Sequence, residues 1–176
     1  MNSLRLRSAT VADLLGVREW IDTPSALLQW AGPVFSYPLD EPQVRAHLAG
    51  TGQPSPTRRA FAAVDETGLV VGYLELDRID SENRTASVSR VIVAPDARGE
   101  GYGAEMVRHV VTFGFDDLHL HRIGLRVFTF NDAALACYER VGFTHEGTLR
   151  DARHHDGEYW SLVQMSILDD EWEEVD

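Results

Sequence analysis

Apolar and polar positions along the chain change period several times, and each change marks the boundary of an element. Leu4-Arg-Leu-Arg alternates as a half-buried strand does. Thr10-Val-Ala-Asp13 has the form of a helix start, with side chains placed to satisfy free backbone donors, and it opens a predicted helix running to about Ile21. Leu27, Leu28, Trp30 and Ala31 predict a further helical turn that Gly32-Pro33 ends, and residues 41–48 a helix with Pro42 in its first turn. Residues 50–57 form a loop. Residues 60–64 and 70–77 flank Asp65-Glu-Thr-Gly68 as an antiparallel hairpin, followed by a polar connection over 78–84 that is expected to be mobile.

An extended apolar run then rises near Val88, continues through Val91, Ile92 and Val93, and stops at Pro95, which cannot donate to a strand ladder. Arg98-Gly99-Glu100-Gly101-Tyr102-Gly103-Ala104 follows. Met106, Val107, Val110, Val111, Gly114, Phe115 and Leu118 recur at three and four residues, which is the buried stripe of a helix. Residues 122–130 read as a strand, parallel to the previous one because a helix separates them. Asn131-Asp132 caps a helix over 133–141 that Gly142 closes, and residues 143–149 and 159–168 make a last hairpin around His154-His155-Asp156-Gly157. The acidic end, 169–176, is expected to fray except at Trp172.

Strand, glycine-rich turn and helix together form an anion site. Glycines let several backbone N–H groups converge, the first turn of a helix carries unpaired donors and a positive dipole end, and Arg98 adds a forked cation. A pyrophosphate suits it. The glycines also fit the dinucleotide fingerprint G-x-G-x-x-G/A, with Asp132 as a ribose ligand, which would make the protein a nucleotide-dependent oxidoreductase. Against that, Pro95 to Arg98 separate the strand from the first glycine, and too little chain follows for a doubly wound domain.

Arg98-x-x-Gly101-x-Gly103 after a proline-terminated strand resembles the acetyl-CoA pyrophosphate loop of the GNAT superfamily of N-acetyltransferases. Asn131-Asp-Ala-Ala-Leu-Ala-Cys-Tyr138, with Gly142-Phe143, resembles that superfamily's second motif. The resemblance implies an α/β (α+β) fold: a single domain over 1–176 with a mixed, mostly antiparallel sheet of about six to seven strands, a splayed parallel pair at its centre and about four helices. It implies acetyl-CoA as acyl donor, with Val91, Ile92, Val93, Arg98, Gly99, Glu100, Gly101, Tyr102, Gly103, Ala104 and Asn131 around it and Tyr138 facing the thioester sulfur. The branch it most resembles acetylates protein N-termini, polyamines or other small amines. A homodimer is common among such relatives, but no interface is identifiable here.

The chemistry explains these residue types. An amine attacks a thioester only when unprotonated, and a free backbone N–H near Val91 or Ile92 can receive the developing oxyanion. A phenol such as Tyr138 can return a proton to the departing thiolate. In some N-terminal acetyltransferases a glutamate base lies five residues before the motif asparagine; here that place is Arg126. Glu75, which shares a strand face with Asp77, is the substitute candidate, against the alternative of a solvated surface carboxylate. Trp30, Phe35 and Tyr37 are the candidates for the acceptor side, with core anchoring as the competing role for each. Loss of the usual base also admits a non-catalytic acetyl-CoA-binding or sensor domain.

Composition narrows the partners. All 16 Lys/Arg positions are arginine and the net charge is −12, so no basic stripe exists for nucleic acid; the acidic surface suits a cationic acceptor, against the alternative that it serves solubility or adaptation to salt. No apolar run approaches the roughly 18 residues of a membrane span, and no signal-peptide core opens the chain, so a cytoplasmic protein with no membrane partner is expected. Cys137 shares a stripe with Ala134, Tyr138 and Val141 and is read as packing. His119-x-His121 and His154-His155 lack the acidic or thiol company of a metal site, so no metal is expected.

Overall fold

The computed structural model describes residues 4–53 and 56–172; Met1–Ser3, Pro54, Ser55 and the end of the acidic tail, 173–176, lie outside the described residues. Seven strands form one sheet: β1 (Arg5–Ser8), β2 (Arg58–Val64), β3 (Val70–Asp80), β4 (Thr85–Val93), β5 (Arg122–Phe128), β6 (Thr144–His155) and β7 (Glu158–Leu168). Their order across the sheet is β1-β2-β3-β4-β5-β7-β6. Only β4 and β5 run parallel, as expected for strands joined through a helix.

Among the described residues five α-helices accompany the sheet, α1 (Val11–Val17), α2 (Pro24–Ala31), α3 (Glu41–Leu48), α4 (Tyr102–Thr112) and α5 (Asp132–Val141). The first is shorter than its apolar spacing predicts, because a 3₁₀ turn at Arg18–Trp20 follows it and Thr23 caps a separate helix that begins at Pro24. The helix start at Thr10 forms as read: Thr10 Oγ1 accepts from the Asp13 N–H, and Asp13 accepts from the Thr10 N–H at 2.8 Å. A hydrogen bond from Arg7, helped by Thr10, holds the Asp13 carboxyl down at about 2. α4 stops at Thr112, six residues short of the stripe's end, and gives way to a wide turn over Phe113–Asp117.

Alternation along β3 divides the interior into two cores. Leu74 and Leu76 face α4 and α5 with Met106, Val107, Val110, Ile123 and Met165. Tyr73 faces the other way, onto Leu14, Val17, Leu27 and Val44 of the first three helices. A central strand covered on both faces buries polar residues too, and Glu75 and Asp77 are buried on the Tyr73 side.

Other expectations need adjustment at the edges. β3 continues through Asp80, whose carboxylate accepts from the Glu82 and Asn83 backbone N–H groups and the Asn83 side chain, so the 78–84 connection is a pinned turn rather than a loose one. The last hairpin is longer than its alternation, with β6 reaching His155 and a two-residue Asp156-Gly157 turn. Asp169 starts a short turn tied to His121 at 2.8 Å.

β3 packs closely under α4 at Gly72, where a Cβ would lie 2.5 Å from Met106 Sδ and 3.0 Å from the Ile92 carbonyl oxygen. Gly72→Val is therefore expected to cost about 1–3 kcal/mol of stability, read as a lower denaturation midpoint. An unchanged midpoint would contradict this close packing.

Candidate active site

The parallel pair opens because β4 is kinked. Its ladder with β5 holds only at Thr85–Arg122, Ala86–Ile123 and Ser87–Gly124. On the other side Ser89 pairs Glu75 and Ile92 pairs Tyr73, which leaves two residues, Arg90 and Val91, opposite Leu74 alone. Arg90 has φ of 52°, the left-handed turn of a bulge. A bulge bends its strand and turns backbone groups off the ladder. The result is a cleft of about 780 Å³ whose walls are Val91, Ile92 and Val93 on one side, Val127 and Phe128 on the other, and Asn131, Cys137 and Tyr138 from α5.

At one end of the cleft the glycine turn delivers α4. Gly101 takes φ of 89° as its N-cap, and no side chain caps the helix. Gly99 also has positive φ, and a Cβ on either glycine would meet nothing within 4 Å, so the turn faces open space. Ala104 N–H bonds back to the Gly101 carbonyl, while Gly103 lines the cleft. Arg98, exposed beside the turn, donates from Nε to the Val93 carbonyl at 3.2 Å and lines the cleft too. Tyr102 and Ala104 send their side chains into the core, and Glu100 is exposed outside the lining, so these three offer only main chain.

α5 supplies the other wall. Asn131 caps it, its side-chain oxygen accepting from the Ala134 N–H at 3.3 Å, and Gly142 closes it with φ of 114°. Tyr138 is 8% exposed and lines the cleft, and among the described residues no hydrogen bond reaches its hydroxyl. Burial, with the neighbouring Cys137, raises its pKa well above that of a free phenol. Cys137 is half-buried rather than core; burial raises its thiol, which keeps it protonated and unreactive.

Of the aromatic candidates, Trp30 alone lines the cleft, and its Nε1–H donates to the Arg90 carbonyl at 2.8 Å. Phe35 stacks behind it at 6.0 Å, and Tyr37 donates its hydroxyl to the Asp22 carbonyl at 3.0 Å. Glu75 is not available to an amine. It is fully buried and absent from the lining, with His47 Nε2 at 2.7 Å, the Tyr73 hydroxyl at 2.6 Å and Arg90 at 2.8 Å around it. Desolvation pushes its pKa up, but the His47 hydrogen bond and the Arg90 charge outweigh that and leave it below the usual carboxylate range. Such a group accepts no proton near neutral pH. The assignment of Glu75 as general base is therefore corrected: a carboxylate buried in an ion-pair cluster and absent from the cleft lining cannot reach the acceptor.

A family model for the Acetyltransferase (GNAT) family matches residues 25–143, which span most of α2, the glycine turn and α5. The chain belongs to the GNAT acetyltransferase family. It is 28% identical over 170 residues to spermidine N(1)-acetyltransferase of Vibrio cholerae, covering 96% of this chain and 95% of that protein. To the enzyme of the same name in Escherichia coli K12 it is 26% identical, covering 95% and 87%. The crystal structure of the Vibrio cholerae spermidine N-acetyltransferase in complex with CoA and spermine superposes with a TM-score of 0.83 at 24% identity, over 96% of each chain.

As a GNAT acetyltransferase, the protein takes its acetyl group from acetyl-CoA. The residues present fit that donor: an uncapped helix start cradled by glycines suits a diphosphate, and unpaired strand edges suit the amides of pantetheine. Three arginines, Arg90, Arg98 and Arg126, line the cleft, whereas Glu19 and Asp22 are its acidic members. Sequence reasoning missed Glu19, Asp22 and Phe128, which carry no local motif. It also missed the hydrogen bond from Ser25 to His155 Nε2, 2.8 Å long, that ties α2 to the last hairpin across 130 positions. Among the described residues no His, Cys, Asp and Glu group is arranged to hold a metal ion, and no helix is long and apolar enough to cross a membrane.

Proposed function

We propose that the protein acetylates a primary amine of a small cationic acceptor, a polyamine ahead of a peptide N-terminus, by direct attack with both substrates bound. The observation that carries this is the bulge-opened gap between β4 and β5, with an uncapped helix start at one end and the Tyr138 hydroxyl on its wall. In this reading the main chain at 99–103 and Arg98 hold the diphosphate. Main-chain groups of residues 91–93 hold the pantetheine arm and receive the developing negative charge, and the free NH₂ of Asn131 donates beside them. Tyr138, kept protonated by burial, delivers its proton to the departing sulfur.

No carboxylate is placed to take the amine's proton in the gap. Arg98 and Arg126, with the partly apolar walls, instead disfavour a further ammonium there, which lowers the acceptor's pKa on entry. Water then removes the proton. A distal ammonium is accommodated by Glu19 and Asp22, and a net charge of −12 draws polycations in. The names of the two spermidine-acetylating relatives support the same class. Residues 1–176 act as one catalytic domain, in the cytoplasm where acetyl-CoA is made available.

Release of CoA thiol should be followed with spermidine, spermine and short peptides as acceptors. Amine-dependent release, fastest with a polyamine, is the expected result. Tight acetyl-CoA binding with no release for any amine would replace this reading by that of a sensor domain, the alternative that the arginine at position 126 leaves open.

A further inference from the structure

Arg90, in the cleft lining, is constrained both in its main chain and in its side chain. It is one of six non-glycine residues at positive φ among the described residues, a conformation that costs free energy and needs support when it falls within a strand. The guanidinium, 6% exposed, is clamped between Glu75 and Asp77, and Glu75 is itself fixed by His47 and Tyr73. Asp77 also accepts from the Ser89 hydroxyl at 3.0 Å, one residue before the bulge. At the main chain, Trp30 Nε1 holds the Arg90 carbonyl at 2.8 Å from the other side.

We infer that Arg90 is a positioning residue: its guanidinium, held by Glu75 and Asp77, keeps β4 in the left-handed bulge that opens the coenzyme A slot. The buried polar cluster thus serves the cofactor site through the backbone, with no contact to the cofactor from Glu75 or Asp77. Without the clamp, a residue with a Cβ relaxes to ordinary extended φ, β4 straightens toward the ladder, and the slot narrows. Glycine has no such preference and retains the bulge unaided. This rests on the assignment of the slot to coenzyme A.

The test is calorimetric titration of coenzyme A alone into the wild type, Arg90→Ala and Arg90→Gly. Both variants deprive Glu75 and Asp77 of the same guanidinium, so a role in charge compensation alone predicts equal losses. The positioning role predicts that Arg90→Ala weakens coenzyme A by about 10-fold or more while Arg90→Gly stays within about 3-fold of wild type. Should either variant fail to fold, the same pair is compared with Glu75→Gln and Asp77→Asn added, which removes both carboxylate charges, and the same ranking is expected. Equal affinities for the alanine and glycine variants in that comparison, or wild-type affinity for Arg90→Ala, would overturn the inference alone. Failure of the wild type to bind coenzyme A would instead overturn the cofactor assignment, and this inference with it.

Discussion

Tyr138→Phe is expected to lower kcat by about 10²- to 10³-fold, the range of a lost proton donor, while coenzyme A affinity changes little. The substitution removes one oxygen from a side chain whose ring packs on Phe143 at 6.0 Å, so the wall of the cleft keeps its shape. No hydrogen bond within the described protein is lost with that oxygen. The sign of the pKa shift adds a second expectation: raised by burial, the phenol stays protonated beyond pH ~10, so the tyrosine contributes no ionisation to the rate profile near neutrality. Steady-state kinetics beside a coenzyme A titration checks both. A variant that turned over at the wild-type rate would remove Tyr138 from the chemistry, and parallel loss of rate and affinity would make it part of the wall only.

Gly103→Asp is expected to separate binding from stability in the opposite direction. The residue sits in the first turn of α4, where a carboxylate favours the helix dipole and glycine is the poorest ordinary helix former after proline. Its Cβ would have ordinary contacts, 3.7 Å from Cys137 Sγ and from Val93 Cγ2. Folding stability should therefore be unchanged or slightly raised. The same carboxylate faces the place assigned to the diphosphate, and repulsion there should raise the KM for acetyl-CoA by about 100-fold or more. Thermal unfolding and acetyl-CoA saturation curves read the two effects separately. Normal saturation in a folded Gly103→Asp protein would move the diphosphate away from α4.

Local chemistry made much of this architecture legible. The Thr10–Asp13 capping pair, the Asn131 cap and the Gly142 stop each form the interactions that their side chains and φ angles favour, because such signals depend only on neighbours in the chain. The glycine turn was readable for the same reason. Arg90 was not, since an arginine in left-handed conformation has no sequence signature and its cause lies in carboxylates on the adjacent strand. Glu75 misled for a related reason. Two acidic residues at period two read as a wet strand face, whereas β3 is covered on both sides and buries them against Arg58 of β2, Arg90 of β4 and His47 of α3. Trp30, Phe35 and Tyr37 read alike as acceptor-side candidates, but the turn at Gly32–Val34 carries Phe35 and Tyr37 away from the cleft, and of the three only Trp30 lines it.

Amide-resolved NMR titration with coenzyme A tests the central claim most directly. The largest shift changes are expected at the N–H groups of Gly99, Gly101, Tyr102 and Gly103 and along Val91, Ile92 and Val93, with smaller changes at Asn131 and Tyr138. Saturable changes confined to other surfaces, with the 99–103 and 91–93 amides unmoved, would contradict the account.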